Sequence, residues 1–237
     1  MITAITSIAP TRIDEQQKCV ESWLRAGLRV TSLNCASEIE TLDAQFPGVI
    51  FHEAHNTTER IFRKPYVAID EAMRYASELN STVLLLNSDI ELRGGSVSAW
   101  IQLAMSEREG SLITFSRHDH CGDYVNGTAY WDGIDGFMFH GRDAHLIPCS
   151  FLSFGQCFWD YLLPMAFQRA GRPVYDAKEP LLWHRTHAQN WDWNDWHKTS
   201  LEIDRALGQT EKLTLGRRVA RAQTMRQEIA KFSIAIE

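Results

Sequence analysis

The stretch LLLNSDIEL, residues 84–92, places two carboxylates, Asp89 and Glu91, at the end of a hydrophobic run. A carboxylate at the mouth of a sheet is poorly solvated and needs a cation, a basic side chain or a ligand as its partner. If the strand pleat runs through both residues, period two puts them on one side. Paired oxygen ligands of that kind suit Mg2+ or Mn2+. Alternatively, Asp89 caps the following turn and Glu91 is a surface charge; spacing alone does not separate the two. A second constellation is Phe158-Trp159-Asp160, with His184 following 24 residues after the aspartate. Asp160 falls in the first turn of an expected helix, where orphan amides stabilise an ionised carboxylate able to accept a hydroxyl proton. An ordinary helix-terminal charge and a strand-end histidine would leave the same trace. The run His118-Asp119-His120-Cys121, with Asp123, has ligand residue types, but contiguous ligands do not all face one ion. No distant pair with zinc spacing completes it, so it reads as a polar loop. Trp191-Asp192-Trp193-Asn194-Asp195-Trp196-His197 mixes aromatic faces with carboxylates, which suits the apolar face and hydroxyl rim of a sugar, although tryptophans most often pack.

These groups need a scaffold. Strands are expected at 2–8, 28–34, 49–53, 82–86, 112–116 and 133–140, with short late ones at 174–176 and 181–184. Helices are expected after a capping box at Asp14 and Gln17, after Pro65, over Ser96–Met105, and over Gly155–Gly171 with a bend at Pro164. A terminal helix presents Leu215, Val219, Ala222, Met225, Ile229 and Phe232 on one side. Strands alternating with such helices imply βαβ units: an α/β fold with a mostly parallel central sheet flanked by helices and a C-terminal helical tail. Ligands in such sheets sit at the carboxyl ends of strands, where Asn87-Ser88-Asp89 lies. The 237 residues suffice for one substantial domain, and 44% hydrophobic content indicates a large core. A net charge of -6 argues against a general nucleic-acid binder, though not against one nucleotide held by a metal. Five cysteines without a CxxC offer neither a zinc knuckle nor a disulfide framework. MITAITSIAP reads as a first strand rather than a signal peptide, and no run nears the roughly 20 apolar residues of a membrane span. A cytoplasmic protein is expected. Arg217, Arg218, Arg221 and Arg226 would form either a solvated helix face or a peripheral contact with an anionic membrane surface.

In chain order, SIAPTR, RKPYVAIDEA, LLLNSDIEL, GIDGFMF, GQCFWDYLLPMAFQRAG and LLWHRTH resemble the motif series of the GT-A fold, family 2-like glycosyltransferases, which are nucleotide-diphospho-sugar transferases. The resemblance covers roughly residues 2–190. It implies a Rossmann-like GT-A domain over 1–196; the hydrophobic spacing of the tail adds a helical extension over 197–237, packed on the core or on a second subunit of a homo-oligomer. It further implies transfer of a sugar from a UDP- or GDP-linked donor to a hydroxyl of a glycan or other acceptor, as in polysaccharide or glycoconjugate biosynthesis. The transfer would be inverting and assisted by Mn2+ or Mg2+. By the same resemblance Asp89 would hold the metal, with Glu91 joining it by the spacing of the carboxylate pair; His184 would be a further metal or diphosphate ligand, and Asp160 the catalytic base. Thr6, Pro10, Asn34, Lys64, Asn87, Ser88 and Asp89 would border the nucleotide sugar; Asp135, Trp159 and Trp191 would meet the acceptor. The chain departs from the pattern at the first DxD position, which is Asn87 and lacks the charge. A sugar nucleotidyltransferase is the second reading, disfavoured because SIAPTRID is no glycine-rich basic loop. A non-catalytic binder of nucleotide or glycan is the third, and Asn87 favours it.

Overall fold

In the computed structural model the described residues are 1–94, 110–122, 124–130, 133–188, 191–209, 211 and 213–236. The helix expected over Ser96–Met105, Asp123 and the side chain of Phe232 lie outside them. Among the described residues ten strands form one sheet: β1 (Thr3–Thr6), β2 (Arg29–Asn34), β3 (Val49–Glu53), β4 (Thr82–Leu86), β5 (Ile90–Leu92), β6 (Leu112–His120), β7 (Thr128–Ala129), β8 (Gly136–His140), β9 (Val174–Arg185) and β10 (Ile234–Ile236). The helices are α1 (Ile13–Arg25), α2 (Ala36–Leu42), α3 (Glu59–Phe62), α4 (Ile69–Leu79), α5 (Trp159–Arg169), α6 (Trp193–Ala206) and α7 (Leu215–Phe232). Strand order is β10-β9-β6-β8-β4-β1-β2-β3, with β5 on β9 and β7 on β6.

β4 shows why the sheet is central. Val83 and Leu85 enter the apolar cluster on one face, with Phe137, Leu162 and Phe167; Leu84 and Leu86 enter the cluster on the other, with Trp23, Val30 and Met138. A strand covered on both faces need not alternate, hence the unbroken apolar run. The neighbours β3-β2-β1-β4 are parallel, as are β6-β9 and β9-β10, while β8 runs antiparallel between β4 and β6.

Several boundaries differ from the sequence expectations. α1 begins at Ile13, and Arg12 at its start has a left-handed backbone with no side-chain cap, so Asp14 lies inside the first turn rather than capping it. β6 runs on to His120, so His118, Asp119 and His120 belong to a strand and not to a loop. β8 starts at Gly136, leaving Gly133, Ile134 and Asp135 outside the ladder. α5 begins only at Trp159, because Gly155 and Phe158 both have positive φ and hold 155–158 as a turn; the helix continues through Pro164.

The tail is part of the same core. Met225 and Ile229 of α7 are buried in the cluster that holds Leu162 and Phe167 of α5, and β10 pairs with β9. Leu215 is exposed. The arginines of α7 do not form a basic face. Arg218 is buried and bonds Asp204 of α6 at 2.9 Å, Arg221 meets Asp204 at 3.2 Å, and Arg226 donates to Ser116 Oγ at 3.1 Å. No described helix is long and apolar enough to cross a membrane.

Candidate active site

β1, β4, β6 and β9 run one way and β8 the other, so their carboxyl ends and the amino end of β8 share one edge. Residues 7–12, 87–89, 133–135, 154–161 and His184 and His187 line a cavity of about 650 Å3 at that edge. The volume lies in the range of small-molecule sites. Gln16 of α1 fixes one wall: its amide accepts from Ala9 N and Ser88 Oγ and donates to the carbonyls of Ala9 and Thr11.

At one end of the cavity Asp89 Oδ2 lies 3.0 Å from His187 Nε2, 3.6 Å from His184 Nε2 and 3.3 Å from Arg12 Nη2. The Nδ1 of each imidazole is already committed. His184 Nδ1 donates to Asp119 Oδ1 at 2.9 Å, and His187 Nδ1 donates to the Ala188 carbonyl at 2.7 Å. In the neutral rings both Nε2 lone pairs therefore converge on a carboxylate, an arrangement that calls for a cation between them. Burial opposes ionisation of Asp89, but the bonds from His184 and His187 outweigh it and hold the carboxyl well below the usual range. The bond to Asp89 raises the pKa of His187. A proton on His187 meets the need for a cation, and so would a divalent metal, since the three donor atoms lie within 4.8 Å of one another. Asp119 accepts from the far nitrogen of His184, the carboxylate partner that a metal-binding imidazole commonly has.

At the other end Asp135 Oδ1 accepts from Arg117 Nη1 at 2.9 Å and from Asn87 Nδ2 at 3.2 Å. Arg117 also donates to Asp119 at 2.8 Å and lies 4.0 Å over the Tyr130 ring. One chain of charges thus runs Asp89-His184-Asp119-Arg117-Asp135 along the cavity. Asp160 Oδ2 accepts from Ile134 N at 3.5 Å. The preceding Gly133 lies close against the Tyr130 ring, 2.8 Å from where a Cβ would stand, whereas that Cβ would meet Asp160 Oδ2 at an ordinary 3.6 Å. Burial and the charge of Asp135 push the Asp160 carboxyl up to about 7, against backbone N–H bonds and Arg117. This corrects the expectation of an acidic, ionised aspartate: the amides of the helix start are present, but desolvation wins.

No protein-family model matches the chain, and no curated protein matches it. Among solved structures, a candidate nucleotide-diphospho-sugar transferase from Desulfovibrio desulfuricans G20 aligns with a TM-score of 0.47 and 13% identity, over 100% of this chain and 99% of that one. A candidate glucose-1-phosphate thymidylyltransferase from Bacillus anthracis, in complex with a sucrose, aligns with a TM-score of 0.43 and 7% identity, over 90% of this chain and 98% of that one. At these distances the likeness carries nothing about activity; the side chains must.

The structure gathers Pro10, Lys64, Asn87, Ser88, Asp89, Asp135, Trp159, Asp160, His184 and Trp191 on the cavity wall. It does not bring three of the expected residues there. Glu91 accepts from the Tyr124 hydroxyl at 2.7 Å and is not among the groups beside Asp89. Residues 87–89 form a turn, closed by Ile90 N to the Asn87 carbonyl at 3.3 Å, so the pleat that would align the two carboxylates is broken. Thr6 is fully buried inside the sheet. Asn34 is also buried and works from behind, accepting from Ser32 Oγ and donating to the Ile8 carbonyl. Trp159 is chiefly a core residue, packed edge-on to Phe137 at 5.2 Å. Sequence reasoning missed Arg12, Arg117, Asp119 and His187. His187 had a signal, the His-x-x-His spacing in LLWHRTH; Arg117 had none.

Proposed function

We propose that the chain transfers a glycosyl unit from a nucleoside-diphosphate donor to a hydroxyl acceptor, with inversion at the anomeric carbon. What supports this most is the sharing of one cavity by a cation-demanding Asp-His-His cluster and a carboxyl poised near neutrality, Asp160. A departing diphosphate needs positive charge, and a hydroxyl nucleophile needs a base whose pKa lies near working pH. Asp89, His184 and His187 would hold a divalent ion. Two imidazoles with one carboxylate suit Mn2+ better than Mg2+, which prefers oxygen. When bound, such an ion would neutralise charge growing on the leaving nucleoside diphosphate.

The protein groups do the rest. Arg12 and Lys64 add fixed positive charge to the wall. Deprotonated Asp160 takes the proton of the acceptor hydroxyl while the oxygen attacks the anomeric carbon. The bond to the diphosphate breaks on the opposite face, so the configuration inverts, by the logic of a carboxylate base in inverting glycosidases. Asp135 keeps Asp160 basic through its charge, and Arg117 with Asn87 holds Asp135 in place. Asn87, uncharged at the first DxD position, here serves Asp135. Incubation with a panel of UDP- and GDP-sugars and Mn2+ tests the proposal. Transfer, or slow donor hydrolysis releasing UDP or GDP, is expected. Pyrophosphate release from a nucleoside triphosphate and a sugar 1-phosphate would make the protein a nucleotidyltransferase, and binding without turnover would make it a non-catalytic relative.

A further inference from the structure

Gln156 stands in the turn that leads into α5, four residues before Asp160, and lines the cavity. It is 5% exposed, and neither Oε1 nor Nε2 of its amide has a hydrogen-bond partner in the protein. Its backbone is otherwise fixed, since Gln156 N donates to the Ser153 carbonyl at 3.2 Å and Gly155 takes the positive φ of the turn. A primary amide left unmet in an interior is destabilising, and a leucine would fill similar space without that cost. From a separate segment, Asp135 Oδ2 is also buried, unpartnered and on the cavity wall. The neighbouring polar groups Arg12, Asp89, Arg117 and His184 all have partners.

We propose that Gln156 is a specificity determinant that reads two adjacent hydroxyls of a reacting sugar ring; this rests on the glycosyl transfer proposed above. The amide offers a donor and an acceptor side by side. A vicinal diol answers both, one hydroxyl donating to Oε1 and the other accepting from Nε2. A phosphate offers acceptors only and would leave Oε1 unmet, and an alkyl chain would leave both unmet. The closeness in chain to Asp160 favours the sugar over the nucleotide, because the base must lie beside the anomeric carbon and the attacking hydroxyl. Donor and acceptor rings both carry such pairs.

Calorimetry with Mn2+ and UDP, UDP-glucose, GDP and GDP-mannose, on wild type, Gln156→Leu and Gln156→Glu, tests this. If the donor ring is read, wild type binds a nucleotide sugar more tightly than its bare diphosphate. Gln156→Leu then loses that increment, roughly tenfold, while the bare diphosphate binds unchanged, and Gln156→Glu, which keeps only an acceptor, loses part of it. If the acceptor ring is read, the increment survives and the acceptor KM rises about as much. An unaltered increment together with an unaltered KM overturns the inference. The ligand-free Gln156→Leu protein should melt at or above the wild-type temperature; a clear fall, with all nucleotide binding lost, makes the amide structural and also overturns it. If wild type binds none of the four nucleotides, the proposed function itself fails, which is a different result from diphosphate binding that is indifferent to Gln156.

Discussion

Asp160 is where local and tertiary effects oppose each other. Its place in a first helical turn was legible, because Trp-Asp precedes an apolar helical stripe, and that local view predicts a strong acid. Its carboxyl instead rises to about 7, since burial and Asp135, distant in sequence, outweigh the amides. Asp160→Asn keeps shape and removes basicity, so turnover should fall by roughly 10²-fold or more while donor affinity persists. The wild-type rate should decline below about pH 7, as the carboxyl protonates. That limb should be missing from the residual activity of the variant. The stability consequence has a definite sign. A folded-state pKa above the unfolded value means the native state binds the extra proton, so Asp160 costs nothing below the unfolded pKa, near 3.9, and destabilises increasingly as pH rises toward 7. Asp160→Asn should therefore raise the melting temperature more at pH 8 than at pH 4, by the equivalent of roughly 1 kcal/mol or more; an equal change at both pH values would contradict the raised pKa. Glu91 failed for the opposite reason. Period two relates Asp89 to Glu91 only if one strand runs through both, and Asp89 lies in the turn that precedes β5.

At the scale of elements, what hydrophobic period controls was legible and what strand pairing controls was not. The doubly buried β4, the amphipathic α1 and α4 and the terminal helix all announce themselves. The antiparallel β8, the extension of β6 to His120 and the docking of β10 on β9 do not, because the partner that stabilises each is far away in the chain. The extension of β6 matters most for the site: it is what carries Arg117 and Asp119 to the cavity. The arginines of α7 show the same limit, since a charged helix face looks solvated until Asp204 is placed beneath it. Truncation after Gly208 removes α7 and β10. The apolar faces of Leu162 and Phe167 would lose Met225 and Ile229, and the edge of β9 would be bared. The melting temperature should fall by several degrees, with a loss of roughly 2 kcal/mol or more for the buried side chains alone. A truncated protein that melts unchanged would show that the tail does not stabilise the core.

Across the whole molecule, charge is the organising feature. The chain is acidic, at -6, yet the cavity edge concentrates Arg12, Lys64, Arg117, His184 and His187 against three aspartates. Helices cover the sheet on both faces, so these charges face the cavity at the open edge of strand ends, where ligands of such sheets sit. The proposed transfer requires that Asp89, His184 and His187 hold a cation that in turn holds a nucleoside diphosphate. Calorimetric titration of UDP and GDP, with Mn2+ and with EDTA, into wild type and Asp89→Ala decides whether they do. One of the two should bind wild type only with the cation, and Asp89→Ala should weaken binding by about 10- to 100-fold. Undiminished, EDTA-resistant binding by Asp89→Ala would contradict it.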